Sequence, residues 1–350
     1  MNDEMKALLK RRGKRFAIAR SLDAAALLSK AGVMRRARGR GAIFTLHHVR
    51  PEEATSFAAN KHLEVTPDFL DGAISRLRNE GYDFIGLDDV PTRLEAADQR
   101  PFAVFTLDDG YRNNAEHALP VFAKHGVPFT IFFTRGFSER THTLWWETLG
   151  SLLARQETLV FAFGQGEERL DLSTEPLKLK AFDRFARFVA TEAEEIAVAR
   201  IDELARQHGI EPLKITDDLV MNDEELRRIE SHPLASAGAH TLSHRAVARL
   251  SAEEARREME RSADWIEALT GKRPRAFAYP YGYPAAVSRR DEEIAQEAGF
   301  AVAVTTQPGT ITDDWAERMT GLPRISLNGH FQHPRHVSAL ASGIPFKLLR

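Results

Sequence analysis

From residue 42 onward, short apolar runs alternate with amphipathic helical stretches, and this alternation restricts the possible folds more than any other feature. The runs cover 42–46, 84–87, 101–107, 128–133, 234–239, 276–279, 301–305 and 324–327. Rich in Phe, Ile, Val and Ala, they are too apolar for a sheet with one wet face and read as buried parallel strands. Helix signals stand between them. Thr66-Pro67 is an N-cap with Pro at the first helical position; Phe69, Leu70, Ala73, Ile74 and Leu77 form an apolar face, and Gly81 is the stop. The stretch 115–124 buries Ala115, Leu119 and Phe122 before Gly126. Ser251 and Glu254 form a capping box ahead of a face made of Ala255, Met259, Ile266 and Leu269. A helix at 291–298 ends at Gly299. The repetition predicts an α/β fold, and about seven to eight strands suggest a parallel (β/α) barrel.

Two regions depart from the pattern. Residues 136–230 contain long charged helical stretches at 177–192 and 194–207 without parallel strands, which predicts a helical insertion between two strands of a 42–350 barrel domain. The insertion opens with Leu144-Trp145-Trp146-Glu147. A Trp pair can stack on sugar rings, although buried packing is its commoner use. The segment 1–41 is basic: its first 40 residues hold twelve Lys and Arg against Asp3, Glu4 and Asp23. That is an excess of nine positive charges, and the net of −2 leaves the remaining chain with an excess of eleven negative ones. The segment reads either as a solvated, partly helical leader or as a peripheral membrane contact. In the second reading Leu8, Leu9, Phe16, Ile18, Leu22, Leu27 and Leu28 form its apolar side.

Composition limits the chemistry. The chain has no Cys, so disulfides, thiolate metal sites and a Cys nucleophile are excluded, and any metal must be held by His and carboxylates. The net charge gives no support to a nucleic-acid partner. No apolar run is long enough to span a bilayer and no signal-peptide core is apparent, so a cytoplasmic location is the expectation, with membrane association as the variant.

The strand ends carry the reactive residues. His47-His48 follows the first run, Asp108-Asp109-Gly110 the third, His240 with His244 the fifth, and Pro280-Tyr281-Gly282 the sixth. A barrel builds its site from the C-terminal ends of its strands, so these residues share one rim. Of four Asp-Asp pairs (88–89, 108–109, 217–218, 313–314), only 108–109 directly follows the most apolar strand, where two adjacent carboxylates call for a nearby cation. The i,i+4 pair His240 and His244 can face one ion. Two His and one carboxylate leave positions open for water and substrate.

These pieces resemble one known family. Phe105-Thr-Leu-Asp108-Asp109-Gly110-Tyr111 looks like the Thr-Phe-Asp-Asp-Gly motif of the polysaccharide deacetylases, carbohydrate esterase family 4, the group of the nodulation-factor chitooligosaccharide deacetylase. His240-Thr-Leu-Ser-His244 is similar to its His-Ser/Thr-x-x-His motif, and Phe277-Ala-Tyr-Pro280-Tyr281-Gly282 to its third motif. The resemblance implies an irregular parallel α/β barrel. It also implies metal-dependent removal of N-acetyl groups from an N-acetylated saccharide, with zinc the expected divalent ion and cobalt, nickel or manganese as alternatives. On this basis Asp109, His240 and His244 are metal ligands, Asp108 is the general base, and the Tyr281 N–H supports the oxyanion. Two positions differ. Ala278 stands where the family has an Arg that orients the base; Arg324 is the candidate replacement. Asn328 stands where a C-terminal general-acid His is usual. Phe44-Thr-Leu-His47-His48-Val49 resembles instead the N-terminal motif of the branch acting on poly-β-1,6-N-acetylglucosamine, which makes His47 the acid and His330 the second candidate. Asp313-Asp314-Trp315 receives no role. These departures motivate one alternative, a non-catalytic glycan-binding scaffold on a degenerate barrel; a further alternative is a related amidohydrolysis, of a cyclic imide or ureide.

Overall fold

A computed structural model describes residues 3–52, 57–98 and 100–348, with side chains in the first helix from residue 13. Every apolar run becomes a strand. The strands are β1 (Gly41–Leu46), β2 (Asp83–Phe84), β3 (Phe102–Leu107), β4 (Phe129–Phe133), β5 (Ala235–Ala239), β6 (Ala276–Ala278), β7 (Val302–Val304) and β8 (Ile325–Ser326). All pairings among them are parallel, in the order β7-β6-β5-β4-β3-β1-β8, with β2 beside the start of β3. Apart from β2, the order around the sheet therefore follows the chain. The edges approach each other where Leu322, just ahead of β8, donates to Ala303 of β7 and accepts from Thr305. The result is a curled half-barrel. β2 is shorter than the apolar run at 84–87, because the chain turns into a 3-10 helix at Leu87–Asp89.

Alternate strand residues serve two buried layers, which explains why the runs show no polar face. Ile43, Val104 and Phe132 join an inner cluster with Val302, Val304 and Leu322. Phe44, Phe105 and Ile131 face the outer helices. Each fully buried side chain of this size contributes about 1.5–3 kcal/mol. The helix Pro67–Asn79 starts where Thr66 accepts from the Phe69 N–H at 3.2 Å, and it buries Phe69, Leu70, Ala73, Ile74 and Leu77. The 115–124 stretch opens with a π turn, Asn114–Ala118, before the α-helix Leu119–His125. The capping box at Ser251 forms, and the helix Ala252–Thr270 follows it.

Between β4 and β5 the chain forms six helices, including Trp145–Arg155, Glu175–Thr191 and Glu194–Gln207. It also forms an antiparallel hairpin, Thr158–Ala162 with Glu167–Asp171, that helical periodicity did not reveal. These elements share their own apolar cluster around Leu149, Phe185 and Ile201. The first helix runs from Asp3 to Lys30. Its expected single apolar side does not form: Leu22 is buried and Ile18 partly so, whereas Phe16 and Leu27 are exposed. At about 100° per residue, Phe16 and Leu22 point to different sides. Leu8 and Leu9 lie outside the described side chains.

Candidate active site

Parallel register sets the strand ends level. Thr45 pairs with Thr106 and Leu46 with Leu107, while Phe133 and Phe277 both pair with Ala239. The residues that follow meet at one rim, around a cavity of about 390 Å³. His47, Asp108, Asp109, His240, His244 and Tyr281 all line it.

The turn after β3 separates the two aspartates. Asp109 and Gly110 both take positive φ, 71° and 65°. A Cβ on Gly110 would stand 2.6 Å from the Phe133 ring, so glycine is required there. Asp108 points to Arg324. Its Oδ1 accepts from Nη1 at 2.7 Å and its Oδ2 from Nη2 at 2.6 Å. Arg324 is fully buried; it also donates to Thr305 O and Thr106 Oγ1. This is the cation that the carboxylate pair called for, in the bidentate geometry that suits Arg. Burial would raise the Asp108 pKa, but the charge and hydrogen bonds of Arg324 outweigh it and hold the carboxyl below the usual range.

Asp109 points to the histidines. Its Oδ1 lies 3.6 Å from His240 Nε2 and 3.3 Å from His244 Nε2. One ligand atom from each of the three residues lies within 4.8 Å of the others, and all three residues are buried. His240 Nδ1 lies 2.6 Å from the Ala278 carbonyl oxygen, so it is the protonated nitrogen and Nε2 presents its lone pair to Asp109. Burial presses the His240 pKa down to about 4 against the pull of Asp108, so the ring is neutral at neutral pH, as a metal ligand must be. Asp109 Oδ1 is buried without a hydrogen-bond partner. Donors bound to one ion at about 2.0–2.2 Å stand roughly 3–3.5 Å apart, close to the spacings seen here. The donor set therefore fits a divalent cation.

The His loop is held from beneath. Thr241 and His244 both have positive φ, and Thr241 Oγ1 accepts from the His244 N–H at 2.9 Å. Glu258, buried on the helix Ala252–Thr270, accepts from the N–H groups of Leu242 and Ser243 at 2.8 and 3.0 Å and from Ser243 Oγ at 2.8 Å. Sequence reading missed Glu258, although a signal existed: it stands in the apolar stripe Ala255, Met259, Ser262 and Ile266, where a carboxylate needs partners.

The two N-terminal histidines diverge. His47 lines the cavity with Nε2 4.0 Å from Asp108 Oδ2, and burial lowers its pKa. His48 turns away, stacks on Tyr111 and accepts from Asn113 Nδ2 at 2.7 Å. His330, the second acid candidate, is not on the cavity wall; burial and then the charge of Arg15 press its pKa to about 4. It sits in the turn after β8, beyond Asn328, where the Gly329 N–H donates to the His62 carbonyl at 3.4 Å. His62, which the sequence did not single out, lines the cavity instead.

Tyr281 has φ 61° and its N–H makes no hydrogen bond among the described residues. Its carbonyl accepts from Thr306 Oγ1 at 2.6 Å, while its hydroxyl donates to Glu194 at 2.7 Å and accepts from Trp145 Nε1 at 3.0 Å. Gly282 must stay small, since a Cβ there would stand 2.5 Å from Thr306 N. Trp145 and Trp146 are buried as packing residues and also form part of the cavity wall, with Phe182 beside them. Asp313 pairs with Arg40, away from the rim.

A family model described as polysaccharide deacetylase matches residues 95–159 and 198–303. The matched segments include Asp108, Asp109, His240, His244 and Tyr281, and leave out His47 and Arg324. Among solved structures, the chain is similar to the Streptococcus pyogenes deacetylase PplD in complex with acetate, at 17% identity and TM-score 0.54, over 82% of this chain and 92% of that one. It is similar to IcaB from Ammonifex degensii at 16% identity and TM-score 0.53, over 87% and 97%. It is also similar to BC0361, a polysaccharide deacetylase from Bacillus cereus, at 15% identity and TM-score 0.51, over 82% and 65%. At these identities the likeness is one of fold. No curated protein matches the chain.

Proposed function

The chain belongs to the polysaccharide deacetylase family, and from that premise we propose that it hydrolyses the N-acetyl group of an N-acetylated sugar in an oligo- or polysaccharide, using a divalent metal ion, zinc being the first expectation. The observation that carries this reading is the meeting of Asp109, His240 and His244 beside a second carboxylate held by a buried arginine. An amide is a poor electrophile; a divalent ion held by those three residues supplies Lewis acidity to the acetyl carbonyl and to water.

The remaining work falls to the chain's own groups. Asp108, kept ionised and aimed by Arg324, takes the proton from the attacking water. The free Tyr281 N–H donates to the acetyl oxygen as negative charge develops there, and the Thr306 bond to the Tyr281 carbonyl fixes that peptide. His47 hands a proton to the leaving sugar amine. Burial lowers the pKa of this ring, and Asp108 Oδ2, which takes the proton from the water, lies 4.0 Å from its Nε2. Trp145 and Tyr281 supply apolar surface for a sugar face. The departures that favoured a non-catalytic scaffold were Ala278 in place of Arg and Asn328 in place of His; Arg324, just ahead of β8, supplies the cation for Asp108, and His47 on the cavity wall is our candidate for the acid.

Acetate release from N-acetylglucosamine oligomers, with and without chelator, tests the proposal. The expected result is release that stops on chelation and returns with zinc or cobalt. Turnover of cyclic imides or ureides without acetate release would point to the related amidohydrolysis. Purified protein that holds no divalent metal and releases nothing would favour the scaffold.

A further inference from the structure

Among its described side chains, the first helix docks through a few. Leu22 and Ala25 are buried with Ala339 and Ile344, Ile18 packs beside Phe331, and Asp23 accepts from Arg335 at 2.7 Å. Several of its large apolar side chains are bare. Phe16 is 62% exposed, Leu27 70% and Leu28 37%, and the turn that follows adds Val33 and Met34 at 42% and 41%. Eleven residues apart, Phe16 and Leu27 project within about 20° of each other. Five of the ten large apolar side chains exposed among the described residues thus fall between residues 16 and 34.

Cations surround them. Lys14, Arg15, Arg20, Lys30, Arg35 and Arg36 are all exposed, and the Arg20 guanidinium lies 5.2 Å from the Phe16 ring. Asp23 is the one acid between residues 13 and 40, and it is engaged by Arg335 and His336 rather than by these cations. No described helix is long and apolar enough to cross a membrane.

We propose that this outer face of the first helix, with the turn that follows it, lies on an anionic phospholipid surface. The chemistry matches on both counts: aromatic and aliphatic side chains for the headgroup boundary, and unpaired cations for lipid phosphates. A protein partner would call for a contiguous apolar patch, whereas here apolar side chains and cations are interleaved along about 20 residues. The same helix packs against the helix Glu175–Thr191, whose Phe182 and Ala186 line the active-site cavity.

Sedimentation of the full chain with vesicles tests this without reference to catalysis. Vesicles of phosphatidylglycerol and phosphatidylcholine should retain the chain about ten-fold or more better than phosphatidylcholine alone, and rising salt should weaken the binding. The variant Phe16→Ser with Leu27→Ser should lose about ten-fold of that binding, as should Arg20→Glu with Arg35→Glu and Arg36→Glu. Both variants should keep the wild-type thermal midpoint, because the altered side chains are exposed. Equal sedimentation with neutral and anionic vesicles, or none with either, would overturn the proposal. So would anionic-vesicle binding that survives the loss of Phe16 and Leu27, or binding that duplex DNA displaces as well as lipid does, since either would reduce the face to a general polyanion contact.

Discussion

Asp108 and Asp109 are sequence neighbours assigned to different tasks, and the backbone is what divides them. The left-handed turn at Asp109 sends its carboxylate to His240 and His244, while Asp108 stays against Arg324. Asp109→Ala should therefore lose metal and turnover together. Asp108→Asn should keep the metal, as read by elemental analysis, and lose about 10²–10⁴-fold in kcat. A wild-type rate in Asp108→Asn would remove the base assignment. The three proposed ligands were legible in the sequence because His240 and the Asp108-Asp109 pair stand at the ends of apolar runs and His244 follows His240 at i+4. Arg324 was named from the sequence as the candidate cation beside Asp108, by its place at the start of the last strand; its bidentate geometry, across 216 residues, was not readable from local pattern. The choice of His47 over His48 rested on the motif resemblance alone, because both follow the same strand; the structure packs His48 against Tyr111 and leaves His47 on the cavity wall.

At the scale of elements, the site depends on supports that make no contact with substrate. The helix Ala252–Thr270 holds the His loop through Glu258, which offers one carboxylate to two N–H groups and a hydroxyl. Glu258→Gln keeps the shape and loses the charge; it should weaken zinc affinity about 10–100-fold in a competition titration while His240 and His244 remain. Unchanged affinity would make Glu258 a folding residue only. The insertion carries an opposite case. Asp202, on the helix Glu194–Gln207, is buried; Thr143 donates to its Oδ2, and its Oδ1 has no partner. Burial raises its pKa to about 6. An acid raised in the folded state binds a proton that the unfolded chain has released, so stability falls as pH rises from about 4 to 6. Asp202→Asn should then be more stable than wild type above pH 6, by about 3 kcal/mol at most, with the difference vanishing below about pH 4. A variant less stable than wild type at pH 7 would contradict this. Barrel strands and capped helices were readable because local pattern and burial agree in them. The hairpin Thr158–Ala162 was not, because only Leu159 and Phe161 face inward and its second strand, Glu167–Asp171, reads as a charged stretch.

For the whole molecule, the parallel register of β1, β3, β5 and β6 is what turns separate motifs into one rim, and the segment after β4 roofs that rim with aromatic side chains. The first helix was legible as a basic segment but not as a docked element, because its inward residues are few and its contacts lie with the chain's far end, at Ala339 and Ile344. The account rests on one ion meeting Asp109, His240 and His244. The most direct test is elemental analysis of the purified chain, paired with acetate release on the same sample before and after chelation. One divalent ion per chain, lost together with activity and restored with it, is the predicted result; full acetate release from a chain stripped of metal would contradict it.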